Sequence, residues 1–279
     1  MNIYHKLDWD KCLSHEIWEA FKKGWPESDQ EVHFFWGLAG KNVPEIQNCI
    51  NENKTWFYVD VGYFTEQITR YPEPKIHDYD KTYFRIVHRN LHTIRGTVGT
   101  GERLTELEHK GIDTEFKGWK TGDTKHILVC PSSQMVTYNI NGMNQDEWIN
   151  ECVTELKKHT DREIKVRNKP RPNNEWWGTD IKDSLVDAHC LVTNMSLSAI
   201  DAVLNMTPVI CHGKNVCSPI ASRDLKYANK PFRPGRKTVT EWMKFVVENQ
   251  FTLPEIESGK AFEVMNCLLY TSDAADDKQ

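Results

Sequence analysis

Short apolar runs alternate with amphipathic segments over the second half of the chain, a pattern typical of strands and helices that follow one another. Strands are predicted at 125–133, 162–172, 189–196 and 207–213. Helices are predicted from the apolar spacing at 146–159, 180–188, 197–205 and 240–251. This alternation predicts a parallel sheet with right-handed crossovers, and therefore a Rossmann-like domain over roughly 117–250.

The first half repeats this rhythm with fewer elements. β-rich runs occupy 31–37, 54–64 and 83–90, and apolar residues at 43, 46 and 50 are spaced as on one face of a helix. An α/β layer is expected here as well. The segment at 95–107 contains three glycines, but it has neither the GK[ST] ending of a P-loop nor the glycine spacing of a dinucleotide fingerprint. It is predicted to be a mobile loop or an interdomain crossing before a short helix.

The composition narrows the class of protein. A length of 279 residues and an apolar fraction of 39% suit two domains or one large α/β unit, and they exclude disordered and coiled-coil chains. No stretch approaches the roughly 18 apolar residues of a membrane span, and the N-terminus lacks the apolar core of a signal peptide. The eight cysteines form no CxxC pair, so reduced, buried thiols of a cytoplasmic protein are expected rather than zinc ligands. The ten tryptophans are expected mainly in the core, with stacking on planar ligands or sugars as the alternative use.

Charge is distributed unevenly. The formal net charge of −5 gives the chain no overall attraction for nucleic acid. Residues 223–244 nevertheless carry seven basic side chains against Asp224 and Glu241. The basic residues are Arg223, Lys226, Lys230, Arg233, Arg236, Lys237 and Lys244. A phosphate-bearing partner is therefore expected to use a local patch of this kind.

Polar side chains follow each predicted strand of the second half. Ligands of open parallel sheets bind at the carboxyl ends of the strands. The residues at these ends are Ser132, Ser133, Arg167, Lys169, Arg171, Thr193, Asn194, Ser196, Ser198, His212, Gly213 and Lys214. Hydroxyls, helix N-terminal amides and basic side chains are the groups that bind a diphosphate. The alternative roles are a helix cap for Asn194 or Ser196, and a solvated strand end for Arg167 and Lys169.

The sequence DAHCLVTNMSLSAIDAVLNMTPVICHG (187–213) resembles the donor half of GT-B-type glycosyltransferases. It is particularly similar to their capsule-polysaccharide and Kdo-transferase-like branch. The resemblance implies that the Ser-rich turn and the next helix hold the phosphates of a nucleotide sugar, and that Asp201 contacts the ribose or the sugar. The basic strand at 160–172 is similar to the family strand that faces the diphosphate. The segment NQFTLPEIESGKAF (249–262) resembles phage-encoded relatives.

This resemblance implies a GT-B-like α/β architecture. A reduced N-terminal α/β domain at 1–116 would bind the acceptor, and a C-terminal Rossmann-like domain at 117–266 would bind the nucleotide sugar. The residues at 267–279 resemble the translation of a sequencing-adapter remnant, so they are expected to be a non-native tail of a metagenomic reading frame. A nucleotide sugar, with a UDP-sugar as first choice, is the expected co-substrate. No cofactor and no metal are expected, because no DxD motif stands at a strand end.

Asp60 is the predicted general base. It ends the apolar run WFYVD, and related transferases carry an acidic residue in a similar position. A carboxylate there would deprotonate an acceptor hydroxyl as it attacks the anomeric carbon in an inverting transfer. The alternative is a structural aspartate that caps the turn. Contacts to the acceptor or to phosphate are predicted for Arg85, His88, Arg89, Arg233, Arg236 and Lys237, with His92 as a secondary candidate.

Three functions from different classes stay open. The first is glycosylation of a 5-hydroxymethylpyrimidine, first of all 5-hydroxymethylcytosine, in double-stranded phage DNA. The phage-like segment and the basic stretch favour it, and it places the protein in the cytoplasm of a phage-infected bacterial host. The second is transfer to a surface or capsular polysaccharide, which the similarity to the capsule branch favours. The third is a nucleotide-sugar epimerase or a binding protein on the same fold.

Overall fold

The computed structural model describes residues 1–5, 11–38, 40–66, 68–69, 75–93 and 99–266. The predicted tail at 267–279 and residues 95–98 of the glycine-containing segment lie outside the described residues. In chain order the strands and helices are β1 (Asn2–His5), α1 (Lys11–Gly24), β2 (Val32–Trp36), α2 (Asn42–Asn51), β3 (Thr55–Val61), β4 (Tyr83–His88), α3 (Glu102–His109), β5 (His126–Val129), α4 (Gln134–Asn141), α5 (Gln145–Leu156), β6 (Glu163–Val166), α6 (Ile181–Leu185), β7 (Ala188–Thr193), α7 (Ser198–Leu204), β8 (Val209–Cys211), α8 (Arg236–Val247), β9 (Gln250–Thr252) and α9 (Leu253–Glu257). Short 3-10 turns occupy Ser218–Ile220 and Leu225–Tyr227, and residues 260–266 are helical.

The chain divides into two α/β units. Unit 1 comprises Met1–Asp113 and residues 243–266, and unit 2 comprises Thr114–Trp242. The sequence assigns 243–266 to the second domain, whereas in the structure β9 pairs with β4 of unit 1. The predicted helix over 240–251 is wrong in its last residues for the same reason, because α8 ends at Val247 and β9 begins at Gln250. A three-residue strand whose partner lies far away in the sequence has no periodicity that would reveal it.

Unit 1 is built on a five-stranded sheet in the order β1-β2-β3-β4-β9. The first three strands are parallel, and β4 and β9 are antiparallel to their neighbours. Because side chains alternate between the two faces of a strand, Phe34, Phe57 and Phe84 share one face. They belong to the same buried cluster as Ile17 and Phe21 of α1. This face forms the core of the unit.

Unit 2 contains the predicted Rossmann-like sheet. Its order is β6-β5-β7-β8, and all pairs are parallel. Ile127, Val129 and Val192 of the sheet pack with Trp148 and Leu156 of α5. Because β6 and β7 lie on opposite sides of β5, the topological switch point falls between the carboxyl ends of β5 and β7. Polar residues at this edge are therefore placed where ligands of such sheets bind.

Among the described side chains, the cysteines and most tryptophans are core residues, as the sequence predicts. The six cysteines with described side chains are free and buried, namely Cys49, Cys130, Cys152, Cys190, Cys211 and Cys217. Buried tryptophans are Trp18, Trp25, Trp36, Trp56, Trp148 and Trp242. Trp177 differs, because it is 49% exposed. In the portion of the chain that the structure describes, no helix combines the length and the apolar character needed to cross a membrane.

Candidate functional site

Asn194 fixes the loops that follow β5 and β7. Its Oδ1 accepts the backbone N–H groups of Ser132 and Met195, both at 2.9 Å. Its Nδ2 donates to Asn141 Oδ1 at 3.2 Å and to Thr137 Oγ1 at 3.4 Å. A primary amide has two donor hydrogens and an oxygen with two lone pairs, so this buried side chain is fully occupied within the protein. Asn194 therefore shapes the switch point and holds Ser132 in place.

The loop after β8 approaches the same residue. His212 donates its backbone N–H to Thr193 O at 2.7 Å. A Cβ at Gly213 would lie 3.2 Å from Asn194 Cα, so this position favours glycine. The His212 ring is exposed, with its centroid 6.3 Å from that of Trp148. His212 thus lies at the carboxyl end of β8, as predicted.

Arg167 is a buried cation at the carboxyl end of β6. It is 4% exposed. Its guanidinium donates to Thr179 O at 3.0 Å and to Ser184 Oγ at 3.2 Å, and it lies 4.8 Å from the centroid of the Trp176 ring. No carboxylate of the described residues lies within 4.0 Å of it. These neighbours hold the guanidinium in place without neutralising its charge.

The Cys130 thiol, directly after β5, shows which predicted residues lie together. Burial raises the pKa of this thiol to about 12. Arg167 and the Ser198 hydroxyl lower this pKa, and the Asp201 carboxylate raises it further. Because such effects act over short distances, Arg167, Ser198 and Asp201 all lie near the end of β5. The structure therefore brings a cation, a hydroxyl and a carboxylate to the switch point.

The other predicted donor-binding residues occupy the loops at the same edge. Ser133 is the N-cap residue of α4, and within the described chain its hydroxyl accepts no capping hydrogen bond. The Ser196 hydroxyl accepts the N–H of Ser198 at 3.3 Å at the start of α7. The N-cap residue of α7 is Leu197, without a side-chain capping bond, so neither Asn194 nor Ser196 has the capping role considered as the alternative. Lys169 is exposed in the loop after β6, and its carbonyl accepts Asn174 Nδ2 at 2.9 Å.

Asp201 lies in the first turn of α7. Burial raises the pKa of its carboxyl to about 6, with Asp180 raising it further and Lys182 lowering it. No donor among the described residues hydrogen-bonds to this carboxylate. Its two oxygens are therefore available to accept ligand hydroxyls, and carboxyls with perturbed pKa values concentrate at functional sites.

The predicted base, Asp60, is part of an ion pair in unit 1. It lies opposite Arg85 in the β3–β4 register, and Arg85 Nη2 donates to Asp60 Oδ2 at 3.0 Å. The Tyr58 hydroxyl donates to the same oxygen at 2.8 Å, and the N–H of Val61 donates to Oδ1 at 2.8 Å. These contacts hold Asp60 within the sheet, and they are an ion pair and hydrogen bonds of strand residues rather than the turn cap considered as the alternative. The Asp60 side chain keeps 23% of its surface exposed, and its role as a base stays a prediction.

The three predicted contact residues of β4 and its end differ in exposure. Arg85 is 5% exposed, and although burial lowers the pKa of its guanidinium, Asp60 and the neighbouring tyrosines raise it by more. His88 is partly buried, with its ring centroid 5.2 Å from that of Phe57. Arg89 is exposed and donates to Asn53 O at 2.9 Å. Of these three, Arg89 alone is exposed.

The predicted basic contact residues of the 223–244 stretch are exposed. Arg236 donates to Phe116 O at 2.6 Å and lies 5.9 Å from the Phe116 ring centroid. Arg233 and Lys237 make no hydrogen bond or ion pair with any other described residue. Among the predicted contact residues of this stretch, Arg233 and Lys237 therefore carry charges that are available to an anionic partner.

Three residues at the ligand-binding edge of unit 2, namely Asn168, Gln145 and Trp176, are not predicted from the sequence. Asn168 carries a buried Oδ1 that accepts no hydrogen bond from the residues the structure describes. Gln145 donates to Ser132 O at 2.5 Å, and Trp176 packs on Arg167. The adjacent tryptophans Trp176 and Trp177 after a basic strand are a local sequence feature that could have indicated a binding role. The contact of Gln145, in contrast, depends on the fold. Searched over the described residues, the side chains include no cluster of three His, Cys, Asp or Glu arranged to bind a metal ion.

Comparison with known proteins identifies the fold. No protein-family model and no curated protein matches the chain. The structure is similar to KpsC, beta Kdo 2,4 transferase, of Thermosulfurimonas dismutans, with a TM-score of 0.52 and 14% identity over 88% of this chain and 89% of that one. The beta Kdo 2,7 transferase of KpsC from the same organism gives a TM-score of 0.46 and 14% identity over 93% of this chain and 98% of that one. The first similarity shows a GT-B-like, two-domain α/β fold, which confirms the predicted fold class.

Proposed function

We propose that the protein is a glycosyltransferase that moves a sugar from a nucleotide-sugar donor to a hydroxyl acceptor. The observation that carries the proposal is Arg167, a buried guanidinium without a carboxylate partner among the described residues, at the ligand-binding edge of a Rossmann-like sheet. The GT-B-like fold supports it, and so does the transferase activity named for the similar structure. The activity named for that structure is transfer of a sugar, and we extend sugar transfer to this chain.

The buried charge of Arg167 favours the binding of an anion. Removing a guanidinium from water is costly unless hydrogen bonds and an opposite charge compensate. Two of the five N–H groups of this guanidinium donate to Thr179 and Ser184, both neutral partners. A diphosphate would accept from the remaining groups and supply the missing negative charge. Arg167 is therefore proposed to bind the donor diphosphate and to stabilise it as it leaves.

Two neighbouring features suit the rest of the donor. The first N–H groups of α4, next to Ser133, have no partner within their own helix, and such groups bind phosphate oxygens. The Asp201 carboxylate is proposed to accept hydroxyls of the ribose or the sugar. A UDP-sugar stays the first choice of donor.

In the proposed reaction the acceptor oxygen bonds to the anomeric carbon while the bond from that carbon to the diphosphate breaks. The acceptor proton passes to a general base, for which Asp60 is proposed, and the electron pair of the broken bond stays on the diphosphate. Arg167 supplies the positive charge that this leaving group needs. We propose an inverting reaction without a metal ion on this basis.

The first choice of acceptor is 5-hydroxymethylcytosine in double-stranded DNA. The exposed Arg233 and Lys237 support it, because a local basic patch would contact the phosphates of a duplex despite the net negative charge. The second candidate is a sugar hydroxyl of a surface polysaccharide. The beta Kdo 2,4 transferase activity named for the similar structure is compatible with this candidate.

The donor site is tested by Arg167→Met. We expect its affinity for UDP, measured by titration calorimetry, to fall about 10- to 100-fold, as for loss of a charged hydrogen-bond partner. Its thermal stability should not fall, because a buried unpaired charge is removed. Lys165→Met is the matched control, since Lys165 lies on the same strand with an exposed side chain paired to Glu163. Equal UDP affinity in wild type and Arg167→Met would contradict the assigned diphosphate site.

Transfer itself is tested with Asp60→Asn. The enzyme is incubated with pooled nucleotide sugars and either hydroxymethylcytosine-containing DNA or oligosaccharide acceptors, and the products are measured by mass spectrometry. We expect transfer to fall about 10²- to 10⁴-fold at unchanged UDP affinity. Tyr58→Phe is the control, because it removes one contact of Asp60 but keeps the carboxylate. Retained transfer in Asp60→Asn would exclude Asp60 as the base, and the acceptor that gains mass decides between DNA and glycan.

A further inference from the structure

The loop after β6 is built to a fixed conformation. Asn174 Oδ1 accepts the N–H groups of Arg171 and Trp176 at 3.1 and 3.2 Å, and its Nδ2 donates to Lys169 O at 2.9 Å. The N–H of Trp177 donates to Asn174 O at 3.1 Å. These bonds tie both halves of the loop to one asparagine. The loop therefore has a defined shape at the ligand-binding edge of unit 2.

The end of this loop is fixed as well. The backbone N–H and the hydroxyl of Thr179 both donate to Trp176 O, at 3.1 and 2.8 Å. Gly178 between them has a φ of 75°, a left-handed conformation that favours glycine. Thr179 O in turn accepts from Arg167. The loop is thus connected directly to the buried cation of the donor site.

The two tryptophans of the loop have different surroundings. Trp176 lies on the Arg167 guanidinium, with 4.8 Å between the guanidinium carbon and the ring centroid. Trp177 is 49% exposed, unlike the six tryptophans that lie in the cores of the two units. Large aromatic side chains normally gain stability from burial, so a half-exposed indole on an ordered loop forgoes part of that gain. A planar ligand that covers the ring would recover it.

We infer that Trp177 is the stacking surface for the nucleobase of the donor. The inference rests on the proposed donor site, because a nucleotide joins the two groups that this loop combines. The phosphates of a nucleotide carry the negative charge that pairs with the Arg167 guanidinium beneath Trp176. Its base has a flat face that stacks on indole. Trp177 then contributes to the recognition of a nucleotide over a base-free phosphate ester.

The test compares UDP with inorganic pyrophosphate, which has no base. Affinities of wild type, Trp177→Ala and Trp177→Phe are measured by titration calorimetry. We expect Trp177→Ala to bind UDP about tenfold or more weakly and pyrophosphate unchanged, because stacking is lost and the charged contacts stay. Trp177→Phe should recover most of the UDP affinity. Phe232→Ala is the matched control, since Phe232 is another aromatic residue of unit 2 that is 50% exposed.

Each other outcome overturns a defined part. UDP binding that is equal in wild type and Trp177→Ala would refute the stacking role and leave the donor site intact. A parallel loss of UDP and pyrophosphate binding in Trp177→Ala would show that the residue shapes the loop rather than contacting the base. Wild-type protein that binds neither UDP nor pyrophosphate would refute the donor site, and the stacking surface with it.

Discussion

Asp201 is the residue at which stability and the proposed function conflict. Burial raises the pKa of its carboxyl from 3.8 to about 6, and Asp180 adds to the effect. Between these values the folded protein binds more protons than the unfolded chain, so stability falls as the pH rises through this window. Above pH 6 the Asp201 carboxyl is ionised in the folded protein, so the full cost of burying its charge lowers the free energy of unfolding. A carboxylate kept under these conditions points to a functional role.

Asp201→Asn should therefore stabilise the fold and weaken donor binding. We expect the free energy of unfolding to rise by about 1–3 kcal/mol at pH 7.5, and by much less at pH 4.5, where the wild-type carboxyl is protonated in the folded state. UDP affinity should fall, because the amide accepts only through one oxygen. Thermal unfolding at both pH values and calorimetry measure the two effects.

Asp183→Asn, at an exposed position of α6, is the control for the general effect of removing one negative charge. A destabilised Asp201→Asn variant at pH 7.5 would contradict the assigned cost of burial. Unchanged UDP affinity would remove Asp201 from the donor site and leave the stability argument standing.

At the scale of elements, the sheet of unit 2 could be predicted from the sequence because β5, β7 and β8 are short apolar runs, β6 alternates between polar and apolar residues, and the helices between the strands are amphipathic. The predicted strand at 125–133 contains β5, and the predicted helix at 197–205 contains α7. The switch point then follows from strand order, which parallel crossovers restrict to few solutions. The candidate residues Ser132 and Arg167 follow from their place after strands, whereas Asp201 follows only from the resemblance to GT-B-type glycosyltransferases.

Other elements could not be predicted because their stability comes from long-range contacts. β1 is a four-residue edge strand whose residues are all partly buried, so it shows no apolar alternation. β9 has only three residues and is defined by its pairing with β4. The hydrogen bonds that occupy the Asn194 side chain depend likewise on neighbours that only the fold brings close. The same holds for the ion pair between Asp60 and Arg85. Local patterns therefore located the candidate sites but not the contacts that decide what each residue is free to do.

At the scale of the whole molecule, unit 1 is discontinuous in sequence, and Arg103 connects its two parts. This residue of α3 is 6% exposed and donates to Val247 O at 2.8 Å and to Gln250 O at 2.5 Å. Its guanidinium also donates to both carboxylate oxygens of Glu255, at 2.7 and 2.8 Å. One side chain thus contacts the end of α8, β9 and α9. Buried polar contacts of Arg103, together with the apolar cluster, therefore hold the returning segment at 243–266 to the rest of unit 1.

Glu255→Gln should loosen this connection in a pH-dependent way. Burial alone would raise the pKa of the Glu255 carboxyl, but Arg103 and Lys260 lower it more, from 4.5 to about 2. A lowered pKa in the folded state contributes stability that is present above pH 4.5 and is lost as the pH falls toward 2. We expect the variant to be less stable by about 2–4 kcal/mol at pH 7, because removing one partner leaves the Arg103 charge buried and unpaired. The difference from wild type should shrink toward pH 2.

Hydrogen exchange followed by mass spectrometry measures this effect segment by segment. Protection should fall in peptides that cover α3, β4 and β9, and peptides of β5 and β7 serve as the internal reference. Glu257→Gln is the matched control on the same helix, since the Lys23–Glu257 pair is exposed and such pairs contribute about 0–1 kcal/mol. Equal protection in Glu255→Gln and Glu257→Gln would show that the buried ion pair holds the returning segment no more strongly than an exposed ion pair would.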